Sequence, residues 1–175
     1  MAIPGPEAPV SAGSLWGPPP EFEPPTAAEE SELCGIYERA DAALREAATS
    51  CRACGQCCSF KKGGLVLFAS GLEMAYLVAK SGRPAADRRV APGRADDPWQ
   101  CPYQAPATNP GEGALCSVHP WRPLGCRTYF CDPESRAAGE RAYAAACREI
   151  VAISERAGAR RARWYGPARA YLARL

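Results

Sequence analysis

The stretch CRACGQCC, running from Cys51 to Cys58, places four thiols in eight residues, two of them adjacent. No other feature restricts the chain so tightly. C-x2-C is the span that turns two thiolates inward onto one ion from a tight knuckle. C-x2-C-x2-C supplies three ligands from one loop, as cluster-binding ferredoxin loops do. Gly55 sits where such a loop needs positive φ and close backbone approach. The adjacent pair Cys57 and Cys58 is harder to place on one small ion, because neighbouring side chains diverge. The simpler arrangement gives each thiolate its own metal atom, which implies a polynuclear cluster or two nearby sites.

The remaining thiols extend the pattern. Cys101 stands alone, and CSVHPWRPLGCRTYFC adds Cys116, Cys126 and Cys131 in a C-x9-C-x4-C spacing. The clustered region thus offers eight candidate metal ligands: Cys51, Cys54, Cys57, Cys58, Cys101, Cys116, Cys126 and Cys131. Eight is the ligand count of two full four-cysteine sites. Four thiolates leave a net charge of about −2 on either a zinc ion or a 4Fe–4S core, so cations and N–H donors are wanted close by. Arg122 and Arg127, inside the second block, are read as charge compensation for the bound cofactor rather than as surface solubility. Lys61 and Lys62 leave that choice open. Cys34 and Cys147 fall within expected helices and are read as small buried hydrophobes. His119, the only histidine, is left out of the ligand set.

These blocks resemble the CxxCxxCC cysteine-cluster family, often called YkgJ-like. Its pattern has a CxxCGxCC block, a lone Cys-Pro, and a block with Arg-Pro followed by Cys-Arg and a last Cys. Cys51, Cys54, Gly55, Cys57, Cys58, Cys101, Cys116, Arg122, Pro123, Cys126, Arg127 and Cys131 fall on it. The resemblance covers roughly residues 48–132, and His119 departs from it where Tyr is the more frequent residue. It implies a zinc- or iron-chelating protein, some family members being labelled iron–sulfur oxidoreductases, and it leaves the reaction undefined.

Composition sets the frame. At 47% hydrophobic and 23% charged the chain is in the globular range, but aromatics are only 9% and alanine swells the apolar share. A modest core that gains from bound metal is expected. A net charge of +2 does not by itself imply a polyanionic partner. The start, MAIPGPEAPVSAG, has neither a basic leader nor an apolar core, so no signal peptide is read. No run of eighteen apolar residues occurs, so no membrane span is expected and a cytoplasmic location is assigned. Disulfides are rare there, which turns clustered cysteines toward metal or redox chemistry.

The expected fold is mainly α: a small helical domain with irregular cysteine-rich metal-binding loops and a disordered N-terminal tail. Residues 1–26 hold eight of the eighteen prolines and form the tail. Residues 27–158 form the metal-binding domain, and 159–175 a basic helical extension. Thr26/Glu29 and Ser70/Glu73 are capping boxes that open helices near 27–49 and 71–81. A third helix is expected over 134–157, and a short extended segment over 65–68. Residues 83–115 read as a long loop pinned by metal.

Three functions are weighed. The first is an iron–sulfur or other multinuclear centre serving electron transfer or cluster handling; iron is the preferred cofactor. The second is a zinc-stabilised interaction module with two four-cysteine sites, acting through an unidentified protein partner. The third is nucleic-acid binding by six C-terminal arginines with Trp164, Tyr165 and Tyr171. A nearly neutral chain weighs against this last partner, and a solvated helix face explains the run with less effort. No P-loop, dinucleotide fingerprint, HExxH or nucleophile elbow occurs, so whether the chain is an enzyme stays open and no catalytic residue is assigned.

Overall fold

The computed structural model describes residues 23–49, 51, 58, 67–82, 101, 103–105, 115–157 and 165–167. Nearly all of the proline-rich tail, Cys54, Cys57 and most of 83–115 lie outside these residues. The described residues are mainly α, as expected. They contain four α-helices: α1 (Ala27–Glu46), α2 (Gly71–Ser81), the short α3 (Leu124–Arg127) and α4 (Pro133–Arg156).

Each long helix starts where its cap dictates. Thr26 Oγ1 accepts from Glu29 N at 3.3 Å, and Glu29 Oε2 accepts from Thr26 N at 2.7 Å. Asp132 accepts from Ser135 N at 2.8 Å, and Pro133 at the first helical position has no N–H to lose. α1 stops at Glu46, short of the expected 49, because Ala48 enters the left-handed region at φ 51° and Thr49 turns back to bond Leu44 O. α2 stops at Gly82, where φ is 71° and glycine removes the steric cost.

α1 and α4 lie antiparallel, since Glu32 pairs with Arg156 and Arg39 with Glu149. These exposed pairs contribute little. The apolar face contributes more: Leu33, Ile36, Tyr37 and Ala40 of α1 meet Ala146, Ile150 and Ile153 of α4, with Leu72, Tyr76 and Leu124 completing the cluster. Each fully buried Leu or Ile adds about 1.5–3 kcal/mol. Ile153 continues that buried face of α4 toward its C-terminus. A second cluster gathers Leu67, Ala69, Met74, Leu77, Tyr103 and Val118, and Trp121 packs against both.

A 3₁₀ turn at His119–Trp121 and four strands of two or three residues accompany the helices. β1 (Phe68–Ser70) pairs antiparallel with β4 (Tyr165–Pro167), and β2 (Gln104–Ala105) with β3 (Leu115–Cys116). β1 lies a little later than the expected 65–68. β4 corrects the helical reading of 159–175: over Tyr165–Pro167 the chain is extended. A Gly-Pro step suits a short strand's edge and not a helix interior.

Candidate metal centre

Cysteines of two separated blocks pack on one apolar cluster, and a backbone bond ties the third block to them. Cys101, Cys116 and Cys126 all pack, partly buried, against Leu67, Ala69, Met74, Leu77, Tyr103 and Val118. The first block reaches the same place through its backbone, since Cys101 N donates to Cys58 O at 2.8 Å. Cys58 itself is buried, at 7% exposure. Cys51 and Cys131 are exposed. Cys54 and Cys57 lie outside the described residues, and among the described residues no three Cys, His, Asp or Glu side chains stand close enough to hold a metal ion. Among them the cysteines carry thiols and form no disulfide.

Short backbone ties fix these thiols. Gln104 N donates to Cys101 O at 3.1 Å, closing a turn that starts β2. Gln104 stands opposite Cys116 in the β2–β3 ladder. Tyr103 O takes Ser117 N at 2.9 Å and Ser117 Oγ at 2.8 Å, while Tyr103 OH donates to Gly82 O at 2.9 Å. Cys101 and Cys116 are thereby held to each other and to the end of α2.

Cys126 is held differently. It lies in α3, which follows a 3₁₀ turn at His119–Trp121 and whose N-cap, Pro123, offers no side-chain acceptor. The missing cap comes from α2: Leu124 N donates to Glu73 Oε1 at 2.7 Å. Gly125 lets α3 lie on β1, where a Cβ would stand 2.7 Å from Phe68 O. Arg127 closes the other side. Its Nη1 is 2.5 Å from Asp41 Oδ2, its Nη2 donates to Pro120 O at 2.8 Å, and its guanidinium lies 4.3 Å from the Tyr37 ring centre.

The two arginines assigned to the cofactor differ in counter-charge, although each buries an Nε–H that meets no acceptor among the described residues. Arg127 is buried and finds its counter-charge in Asp41, a helix residue that local patterning did not single out. Arg122 is half-buried, its Nε is sequestered, and among the described residues this N–H meets no acceptor. Such an N–H suits a metal-bound thiolate, so sulfur donors and at least one orphaned donor fit a thiolate-held metal. His119 is held below its ordinary pKa by desolvation first and then by Arg122 and Arg127, with Asp41 opposing.

Glu73 is the residue beside the candidate site that sequence reading underrated. The Ser70/Glu73 capping box forms as expected, with Ser70 N and Oγ donating to Oε2 at 2.7 and 3.0 Å. The other oxygen also receives Tyr37 OH at 3.1 Å. Burial pushes this carboxyl's pKa up, against four donors that pull it down. Cys34 Sγ lies 3.5 Å from Tyr76 OH, away from the thiols above, and Cys147 is partly buried with a thiol pKa raised by desolvation. Both sit against the α1–α4 cluster, as small apolar residues do.

No helix among the described residues is long and apolar enough to cross a membrane. No family model, no curated protein and no solved structure matches the chain.

Proposed function

We propose that this chain is a cysteine-cluster metal-binding protein that holds an iron–sulfur or other multinuclear centre, serving electron transfer or the handling of metal or clusters in the cytoplasm. The observation that carries this reading is the meeting of Cys101, Cys116 and Cys126 on one apolar cluster, with Cys58 tied to Cys101 by its backbone. Sulfur donors in a setting of low polarity suit soft metals. Cys51, Cys54, Cys57 and Cys131 complete the proposed ligand set, and the adjacent Cys57–Cys58 pair favours more than one metal atom. The bound centre would supply redox or Lewis-acid chemistry. The chain's own residues bind it, shield it from water through Leu67, Met74 and Tyr103, and offer Arg122 as a donor.

Anaerobic purification with iron, sulfide and zinc assays and a visible spectrum tests the reading. Iron and sulfide with a coloured spectrum support it. A colourless protein after cluster reconstitution overturns it, and two zinc ions per chain with no redox response would replace it with a zinc-held interaction module. Within the same assays, Cys54→Ser is expected to lose metal content and thermal stability together, while Cys34→Ser, outside the proposed ligand set, loses little of either. Equal losses refute the ligand assignment.

A further inference from the structure

We infer that Glu73 is a positioning residue for Cys126: its two carboxylate oxygens do separate jobs, and the one facing away from α2 sets the place of this proposed metal ligand. The inference rests on the metal-binding reading above.

Oε2 serves α2 alone, taking Ser70 N and Ser70 Oγ in an ordinary capping box. Oε1 serves other elements. It receives Tyr37 OH from α1 and Leu124 N from α3. A four-residue helix with proline at its N-cap has no cap of its own, and its first N–H is buried with Leu124, which is 2% exposed. Left unmet, such a donor costs about 1–3 kcal/mol. Glu73 Oε1 is the acceptor that meets it, only two residues before Cys126. Gly125 on the Phe68 carbonyl and Arg127 on Asp41 fix the same turn from its other sides. Of these supports, Glu73 is the one that joins α3 to the helix whose Met74 and Leu77 pack with the cysteine-lined cluster. A shift of α3 at its N-terminus therefore moves Cys126 relative to Cys101 and Cys116.

Partners that orient metal ligands typically change affinity by about 10–100-fold when removed. The test is anaerobic titration of the reduced full chain with Co²⁺ alone, reading the thiolate-to-cobalt absorption, beside melting curves without metal and alkylation rates at individual cysteines. Glu73→Gln is expected to weaken Co²⁺ binding by about 10-fold or more, alter the cobalt spectrum, and speed alkylation of Cys126 but not Cys34. Ser70→Ala is expected to lower the melting temperature while leaving cobalt affinity and spectrum as in the parent. Tyr37→Phe, which keeps the ring under Arg127 and loses one bond to Oε1, gives a smaller shift in the direction of Glu73→Gln and stands in for it should that variant fail to fold. Unchanged cobalt binding and unchanged Cys126 alkylation in Glu73→Gln, or equal effects of Ser70→Ala on the cobalt spectrum, overturn the inference while the metal-binding reading stands. A parent chain that shows no thiolate-to-cobalt band overturns that reading instead, and alkylation of Cys126 still decides whether Glu73 positions it.

Discussion

The α1–α4 pair and the segment from Cys101 to Cys131 meet the same requirement, a fixed backbone, by different means. α1 and α4 are 20 and 24 residues long, begin at side-chain caps, and bury one apolar face each. Their backbone hydrogen bonds are internal, and packing of the buried faces does most to decide how they sit. The cysteine-bearing segment has two-residue strands, a 3₁₀ turn and one helical turn of four residues. Its order comes from outside: Gly82 O holding Tyr103, Glu73 holding Leu124, Asp41 and Tyr37 holding Arg127. The contrast teaches that the scaffold specifies itself locally, whereas the thiol-bearing layer borrows polar anchors from it. Thiols carried on short irregular segments can approach from several directions, which one helix face does not allow.

The largest blow to the scaffold should be Leu72→Ala. Leu72 is fully buried between α1, α4 and α3, and the loss is expected at about 2–5 kcal/mol by chemical denaturation. A cost under about 1 kcal/mol would mean that the helices do not depend on this contact. Next comes the seam between the two regions. Alanine at an exposed helical glycine normally stabilises by about 1 kcal/mol, yet at Gly139 the added Cβ would stand 2.0 Å from Thr128 O. Gly139→Ala is therefore expected to destabilise by about 1–3 kcal/mol through overpacking, and a stabilised variant would separate α4 from the segment that follows α3.

Asp41→Ala probes the borrowed anchors. Arg127 would keep Pro120 O and the Tyr37 ring but lose its counter-charge in a buried setting. Asp41 is 32% exposed, so water answers part of the loss and about 1–2 kcal/mol is expected. An unchanged denaturation midpoint would remove Arg127 from the list of anchors.

The smallest effect is in pH dependence. Burial raises the Glu73 pKa, so the native state keeps this proton longer than the unfolded chain does. Its contribution is then greatest at low pH and declines as pH rises from the ordinary carboxylate range through the raised value. His119 has the opposite sign. Its lowered pKa gives a contribution present above the ordinary histidine range and lost as pH falls through the lowered value. Denaturation midpoints followed from neutral to acid pH should show His119→Gln flattening the fall that begins below the ordinary histidine range, and Glu73→Gln removing the opposing gain as pH falls toward the ordinary carboxylate range. His119 lies at the surface, so its effect is the weaker of the two.

The same contrast decides what was legible in the sequence. Thr26, Ser70 and Asp132 announce helices because a cap and the turn it opens are neighbours in the chain, and the buried positions of α1 follow from period alone. The thiol spacings likewise announce candidate ligands. The Tyr37 and Leu124 partners of Glu73 lie 36 and 51 residues away and the counter-ion of Arg127 86, and no local pattern records them. Glu73 looked complete once Ser70 had accounted for one oxygen. β4 escaped for a related reason: three residues with a Gly-Pro step carry no alternation, and only pairing with Phe68–Ser70 makes them a strand.

That pairing has a consequence for biosynthesis. Translation delivers Phe68–Ser70 before every residue from Cys101 onward, and delivers its mate, Tyr165–Pro167, after α4 is finished. On the ribosome this nascent edge must wait bare of its ladder while the thiols are made, and an unmated edge invites pairing with a neighbouring polypeptide. The two-stranded ribbon can therefore close only after every cysteine of the chain has been synthesised.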